Sequence, residues 1–420
     1  MEFDRISKFK GICCLCLMCV ALTACNSEGV AGGANEEETP IFGLGVEETS
    51  FEYEEQKPHL IVSSGYDTYE QKIVYADSSM SGQQFSVVAD ETGEVVYTGE
   101  FYSLSDAGDT ACVGDFSEVV RSGSYLIWNK NCGYSYSFDI SPNAYELFYE
   151  QAYTRLEEME CNNIEERCSR ISYAMLSSEI YEDSYIDWVF INQERNELEK
   201  YIKRTYLDTD GNIIVPNVAD DYEKWIVAGT LAQYGSLYMD LDEEKAVWSI
   251  QLAENLYDSC IDVNSYNDGR YFALAYLYRA TGDSKYRNIL EKAKDWEDGK
   301  HSFLADMGYI MSVYPNDYTR CDKILNGYLE RAKNISIEHN SRVYFEEKTD
   351  SEKINDELDD FMVLCIADYA LAGSEYKGIR RDYVRFVGGC NNASLDMITS
   401  PNQHINSIET MAKLIFVMGY

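Results

Sequence analysis

The sequence predicts a multidomain chain in which a small β-sandwich precedes an all-α barrel. From about Pro58 to Pro142 the apolar residues recur with period two between Gly and Asp turns, the pattern of short strands in a sandwich. After Asn143 the pattern is helical to the end. Within that half, Tyr271–Tyr278 and Phe361–Ala372 are apolar nearly all round, whereas Asp283–Asp295 is polar on one face. A helix apolar on every side must be covered on every side. Alternating buried and amphipathic helices therefore predict two concentric helical layers.

Strands are expected at Gln84–Ala89 and Val95–Phe101, joined by the turn Glu91-Thr92-Gly93-Glu94, and Tyr134–Ile140 alternates as one more. Twelve helical stretches follow, near 143–160, 163–181, 184–204, 220–239, 242–259, 268–281, 284–295, 301–313, 317–332, 353–372, 376–388 and 404–419. Small residues Ala228, Gly229, Ala232 and Gly235 would let the helix from Trp225 to Tyr238 approach its neighbours closely. Gly282 suits the C′ position that closes one helix, with Asp283 or Ser284 capping the next.

At the amino terminus, Arg5, Lys8 and Lys10 precede the apolar run Gly11–Ala24, a secretory-signal pattern too short to span a bilayer. Leu22-Thr23-Ala24-Cys25 looks like a bacterial lipobox, which implies cleavage before Cys25 and lipid attachment to its thiol. The expectation is an exported chain anchored at the cell surface through Cys25, with residues 26–57 as an acidic flexible tether. The formal net charge of −38 opposes binding to nucleic acid and to anionic lipid surfaces, so the lipid alone would hold the membrane. Neutral polysaccharide remains open as a partner.

Eight cysteines lie beyond Cys25, scattered and without the close pairs of a zinc site. Cys161 and Cys168 on one helix would lie about 10 Å apart along its axis, too far for a bridge, whereas Cys112 with Cys132 could pair in an export compartment. No metal or cofactor motif is present, and four histidines leave little scope for one.

The stretch with the most chemistry is Pro216–Trp225, where Asp220 and Asp221 stand before a strongly apolar segment. One reading makes Asp220 or Asp221 the N-cap of that helix; the other holds a catalytic carboxylate at a cleft. Tyr222, Trp225 and Trp188 are candidate sugar-stacking rings, although tyrosine is commonly half-buried for packing alone.

The order Ile61-Val62-Ser63-Ser64-Gly65-Tyr66, Lys72-Ile73-Val74, Phe85–Val88, Thr92-Gly93, Val95–Gly99, Asp115-Phe116-Ser117, Gly123-Ser124-Tyr125 and Ser137–Ile140 closely resembles the immunoglobulin-like domain of glycoside hydrolase family 9, the cellulase family. Phe272–Asp283 resembles that family's Leu-Tyr-Arg-Ala-Thr-Gly-Asp segment, and Tyr383–Asn391 its Tyr-x-x-x-Leu-Gly-x-Asn segment. The resemblance implies an immunoglobulin-like sandwich (58–142) and an (α/α)6 barrel (143–420).

It further implies inverting hydrolysis of a β-linked glucan by two carboxylates. The family's Asp-Ala-Gly-Asp-Tyr-Gly-Lys-Tyr falls on Val218–Trp225, placing the base on Asp221; the motif's first Asp is replaced by Val218, with Asp220 as partial compensation. The family's acidic Asn-Glu pair falls on His404-Ile405, leaving Glu409 as the substitute acid and His404, Tyr222 and Trp225 as substrate contacts. The rival expectation is a catalytically degenerate barrel that binds glycan or scaffolds a partner.

Overall fold

The computed structural model describes residues 60–103, 111–181, 188–212, 214, 220–262, 267–293, 302–340, 351–391, 396–399, 405 and 407–419. Among the described residues ten strands come first: β1 (Leu60–Ile61), β2 (Gly65–Tyr66), β3 (Ile73–Asp77), β4 (Gln84–Ala89), β5 (Val95–Glu100), β6 (Tyr102–Ser103), β7 (Ala111–Asp115), β8 (Gly123–Asn129), β9 (Gly133–Tyr134) and β10 (Phe138–Ile140). They form two sheets, ordered β1-β3-β7-β6 and β2-β10-β8-β4-β5, with β9 on β8. Tyr66, Phe85, Phe116, Ile127 and Phe138 are buried between them. The β4–β5 turn closes as expected, with Gly93 at φ +68°, a left-handed position that favours glycine.

Tyr134–Ile140 is not one strand, contrary to its alternation. Ser135 Oγ accepts the Ile127 N–H at 2.9 Å and donates to Tyr136 O at 2.8 Å. A side chain thus takes a rung of the ladder, and pairing resumes only at Phe138. The Cys112–Cys132 disulfide is not formed: both thiols are free, Cys112 donating to Ser78 O at 3.3 Å.

Twelve helices follow among the described residues: α1 (Ala144–Glu158), α2 (Ile164–Ile180), α3 (Trp188–Thr205), α4 (Asp221–Tyr238), α5 (Glu243–Asp258), α6 (Asp268–Thr281), α7 (Ser284–Lys292), α8 (Phe303–Ile310), α9 (Tyr318–Asn340), α10 (Ser351–Ala370), α11 (Lys377–Val387) and α12 (Ile408–Met418). The even-numbered helices are the inner layer: α2 packs on α4 and α12, α4 on α6, α6 on α8, and α10 on α12. Helix α9 runs past its expected end because Ile335, beyond the polar Lys333-Asn334, still packs on the core.

Glycine sets the closeness of the inner layer. A Cβ on Gly229 would lie 2.3 Å from Phe272 Cδ1, and one on Gly235 2.3 Å from Ile250 Cγ1, so α4 can meet α6 and α5 only without those carbons. Asp368, the lone charge of Phe361–Ala372, is buried and satisfied by the Tyr376 N–H at 3.0 Å and Arg380 at 3.3 Å. Between sandwich and barrel, Ser64 N donates to Gly388 O at 2.7 Å and Tyr145 Oη to Glu70 at 2.8 Å. Among the described residues, no helix is long and apolar enough to cross a membrane.

Candidate active site at the barrel mouth

Consecutive helices in such a barrel run antiparallel, so the inner helices all begin at one end. Free N–H groups and the positive end of each helix dipole favour acidic residues there. Glu165 lies in the first turn of α2, Asp221 and Glu223 of α4, Asp268 of α6, Asp306 of α8 and Glu409 of α12. The sequence thus places carboxylates around the mouth for reasons of helix stability, and the tertiary fold collects them.

Asp220 is the N-cap of α4, its Oδ1 accepting the Glu223 N–H at 2.9 Å. Asp221, the first residue of the helix, is bonded on both oxygens. Oδ1 accepts Lys224 Nζ at 3.0 Å, while Oδ2 accepts the N–H of Ile261 at 2.8 Å and of Asp262 at 2.6 Å. Burial pushes this carboxyl up, but the Asp262 N–H, the Lys224 ammonium and the Ile261 N–H together hold it below the ordinary aspartate value. Asp221 is therefore an ionised group that ties the chain after α5 to the start of α4. Lys224 depends on it, being only 3% exposed along its side chain.

Tyr222 is 38% exposed and lies against Gly269, where a Cβ would be 3.0 Å from Tyr222 Cε2. Partial burial raises its phenol, and the charges of Glu165, Asp268, Glu409 and Asp220 raise it further. Four carboxylates, at the starts of α2, α4, α6 and α12, thus bear electrostatically on one half-exposed ring. Glu409 is 47% exposed along its side chain and pairs with Lys413 at 2.9 Å; Lys413 also holds Asp359 at 2.8 Å and bonds Asn355 at 3.3 Å. Burial pulls the Lys413 ammonium down, but Glu409 and Asp359 outweigh it and leave it above the ordinary lysine value. Below lies Tyr173, buried and raised first by burial and then by Glu409, Asp359 and Asp268.

Asp306 lies in the same system and only 6% exposed. Its Oδ2 accepts the Tyr328 hydroxyl at 2.7 Å, while its buried Oδ1 has no hydrogen-bond partner among the described residues. Burial pushes the carboxyl up to about 7, the Tyr328 bond opposing and the charge of Asp268 adding to it.

Of the expected site residues, Tyr222, Asp220 and Glu409 share this electrostatic neighbourhood, and Asp221 adjoins it through its own helix. Trp225 is 2% exposed, within the core and under the Arg270 guanidinium at 5.7 Å, so its ring offers no face to a sugar. Trp188 packs on Tyr238, their ring centroids 4.6 Å apart. His404 and Cys25 lie outside the described residues. Sequence reasoning missed Glu165, Asp268 and Asp306. Their common signal is an acid in the first turn of α2, α6 and α8, and Asp306 is also the lone charge in Phe303–Ile310. Among the described residues, no group of three or more His, Cys, Asp or Glu is arranged to hold a metal ion.

An immunoglobulin-like sandwich leading into a barrel of six helical hairpins is the architecture of the family 9 glycoside hydrolases, as the comparisons bear out. Residues 56–133 match the family described as the cellulase N-terminal ig-like domain. A metagenome-derived glycoside hydrolase family 9 endoglucanase superposes with a TM-score of 0.66 at 13% identity, over 86% of this chain and 98% of that one. AaCel9A in complex with cellobiose-like isofagomine gives 0.64 at 11% identity, over 86% and 99%. A Bacteroides ovatus GH9 protein gives 0.61 at 12% identity, over 86% and 98%. At these identities the likeness shows the fold. No curated protein sequence matches the chain.

Proposed function

We propose that this protein is a cellulase-like glycoside hydrolase acting on a β-linked glucan at the mouth of its barrel. The observation that carries the reading is the set of acids at the starts of the inner helices, Glu165, Asp220, Asp268 and Glu409, all of which act on the charge of the half-exposed Tyr222. Carboxylates accept hydrogen bonds from sugar hydroxyls, and a tyrosine face suits the C–H side of a pyranose ring. In the inverting reaction, Asp221 takes the proton of the attacking water and Glu409 protonates the glycosidic oxygen, the two carboxyls being roughly 6.5–9.5 Å apart in such enzymes. An ionised Asp221 suits the base role.

Reducing-sugar release from cellulose, xyloglucan and mixed-linkage glucan tests this. Wild type should release sugar, and Asp221→Asn and Glu409→Gln should each lower release at least 100-fold, the size of a general acid–base contribution. Background release from all three proteins overturns hydrolysis.

One observation favours the second reading, a barrel that binds glucan without cutting it. Both oxygens of Asp221 are already bonded to Lys224, Ile261 and Asp262, which leaves little room for a water. Glucan retention by protein that releases no sugar would support that reading.

The proposed setting is the cell surface, with the chain held by lipid on Cys25, as the sequence Leu22-Thr23-Ala24-Cys25 supports. Incorporation of labelled palmitate by wild type and its loss in Cys25→Ser tests it. Equal incorporation by both overturns it.

A further inference from the structure

Four strands border the two sheets of the sandwich, β1 and β6 in one and β2 and β5 in the other. A border strand presents unpaired N–H and C=O groups, a template for another strand unless it is short, covered, bulged or guarded by lysine or proline. Strands β1 and β6 are two residues each. Strand β2 is covered by the barrel, where a Cβ on Gly65 would lie 3.2 Å from Phe148 Cζ and Ser64 N donates to Gly388 O at 2.7 Å. Strand β5 is six residues long, Val95-Val96-Tyr97-Thr98-Gly99-Glu100, and carries neither lysine nor proline. Among the described residues it is the long border left open.

The direction of its free groups follows from the ladder. Phe101, the residue after β5, donates to Gln83 O at 2.9 Å and accepts the Gly82 N–H at 2.8 Å. Both backbone groups of a residue point to one side and successive residues alternate, so Gly99 and Tyr97 face β4 while Thr98 and Glu100 turn outward. Val87 pairs with Tyr97 and Val88 with Val95, so a bulge at Val96 bends the turn end of the strand and leaves Tyr97–Glu100 regular. Thr98 and Glu100 are both exposed.

Charge selects among the strands that could pair there. From Gln83 to Ser103 the chain carries Asp90, Glu91, Glu94 and Glu100 and no lysine or arginine. Burial, and then the charges of Glu118 and Asp115, raise the Tyr97 phenol, so two further acids act on the same strand. A second copy of the chain would bring the same acids and a formal net charge of −38 to this edge, and like charges oppose that pairing. Lysine or arginine flanking a short β-forming core meets these acids with opposite charge.

We infer that β5 is a docking edge for an extended, basic segment of another protein, which adds as a further strand beside Thr98 and Glu100. The inference rests on the sandwich alone and is independent of hydrolysis at the barrel.

The probe is the peptide Lys-Lys-Val-Thr-Val-Thr-Val-Lys-Lys, titrated onto the full chain with hydrogen exchange to locate it. It should bind and protect the amides of Thr98 and Glu100. A peptide of the same charge with proline for the central valine should bind at least about tenfold more weakly, the effect of about one lost hydrogen bond. Thr98→Pro removes an N–H that points away from β4, so it should weaken the first peptide to the same extent, with the fold retained in thermal unfolding. Glu94→Lys with Glu100→Lys leaves the ladder intact and should do likewise, so the test does not hang on the proline variant folding. Equal binding of the two peptides would mean attraction to charge alone and overturns the inference. Binding unchanged in the variants, or no protection of residues 98 and 100, overturns it too. Dimerisation of the peptide-free chain in sedimentation, lost in Thr98→Pro, overturns the choice of partner in favour of a second copy.

Discussion

Replacing Asp306 with asparagine should make the barrel more stable at neutral and alkaline pH, and the gain should vanish in acid. In the folded chain the Asp306 carboxyl is raised to about 7 from an ordinary value of 3.8. Between those two values the folded state holds a proton that the unfolded state has released, so stability falls as pH rises through the interval. Below the lower value neither state is ionised and the penalty is absent; above the upper value it is complete. The interval corresponds to about 4 kcal/mol at 1.36 kcal/mol per pKa unit. Screening is slight, because the residue is only 6% exposed.

The groups that act on Asp306 are Tyr328 from α9 and Asp268 from α6; Arg331 and Tyr173 act in turn on Tyr328. Asparagine keeps an oxygen for the Tyr328 hydroxyl and places an amide where Oδ1 stands without a partner. An unsatisfied amide costs about 1–3 kcal/mol, but that cost does not change with pH. The diagnostic is therefore the slope. Thermal unfolding of Asp306→Asn and wild type should be compared from about pH 4 to about pH 8, the window set by the two carboxyl values. The difference should grow in favour of the variant by about 4 kcal/mol, at roughly 2–4 °C per kcal/mol for a domain of this order of size. A difference that stays flat with pH would refute the reasoning, since it would mean that Asp306 titrates alike in both states.

Asp221→Ala should destabilise the barrel by about 3 kcal/mol in unfolding experiments, because it leaves Lys224 buried without its partner and frees two N–H groups. Asp220→Ala, which removes only a helix cap, should cost about 1 kcal/mol in the same measurement. Gly229→Ala should lower stability by about 1–3 kcal/mol, since its Cβ would meet Phe272 at 2.3 Å; an unchanged melting temperature would show that α4 and α6 can separate freely. A reducing agent should leave the melting temperature of the folded domains unchanged, because Cys112, Cys132 and the other described cysteines are unbridged.

Much of the architecture was legible because each inner helix carries its signal locally. Phe272–Tyr278 and Phe361–Ala367 are apolar around the full turn, and Gly282 and Asp283 mark one boundary with the residues a helix end requires. A cap at Asp220 or Asp221 was legible for the same reason, since capping is settled within four residues, and the structure gives the role to Asp220. Tyr134–Ile140 shows where that kind of reading stops. Its alternation is a true record of which residues face the core, but a strand also needs ladder partners, and Ser135 diverts one of them.

The site was less legible, because its properties come from residues far apart in sequence. The order of residues alone determined that acids stand at the starts of the inner helices, that a glycine-lined helix can pack closely, and that the chain is strongly acidic. Tertiary structure decided what each acid does. It fastened Asp221 to the backbone of residues 261 and 262, gave Glu409 to Lys413, and left one buried oxygen of Asp306 without a hydrogen-bond partner among the described residues. Burial and neighbouring charge set the protonation of a carboxyl, and both are properties of the packed molecule that no local stretch contains.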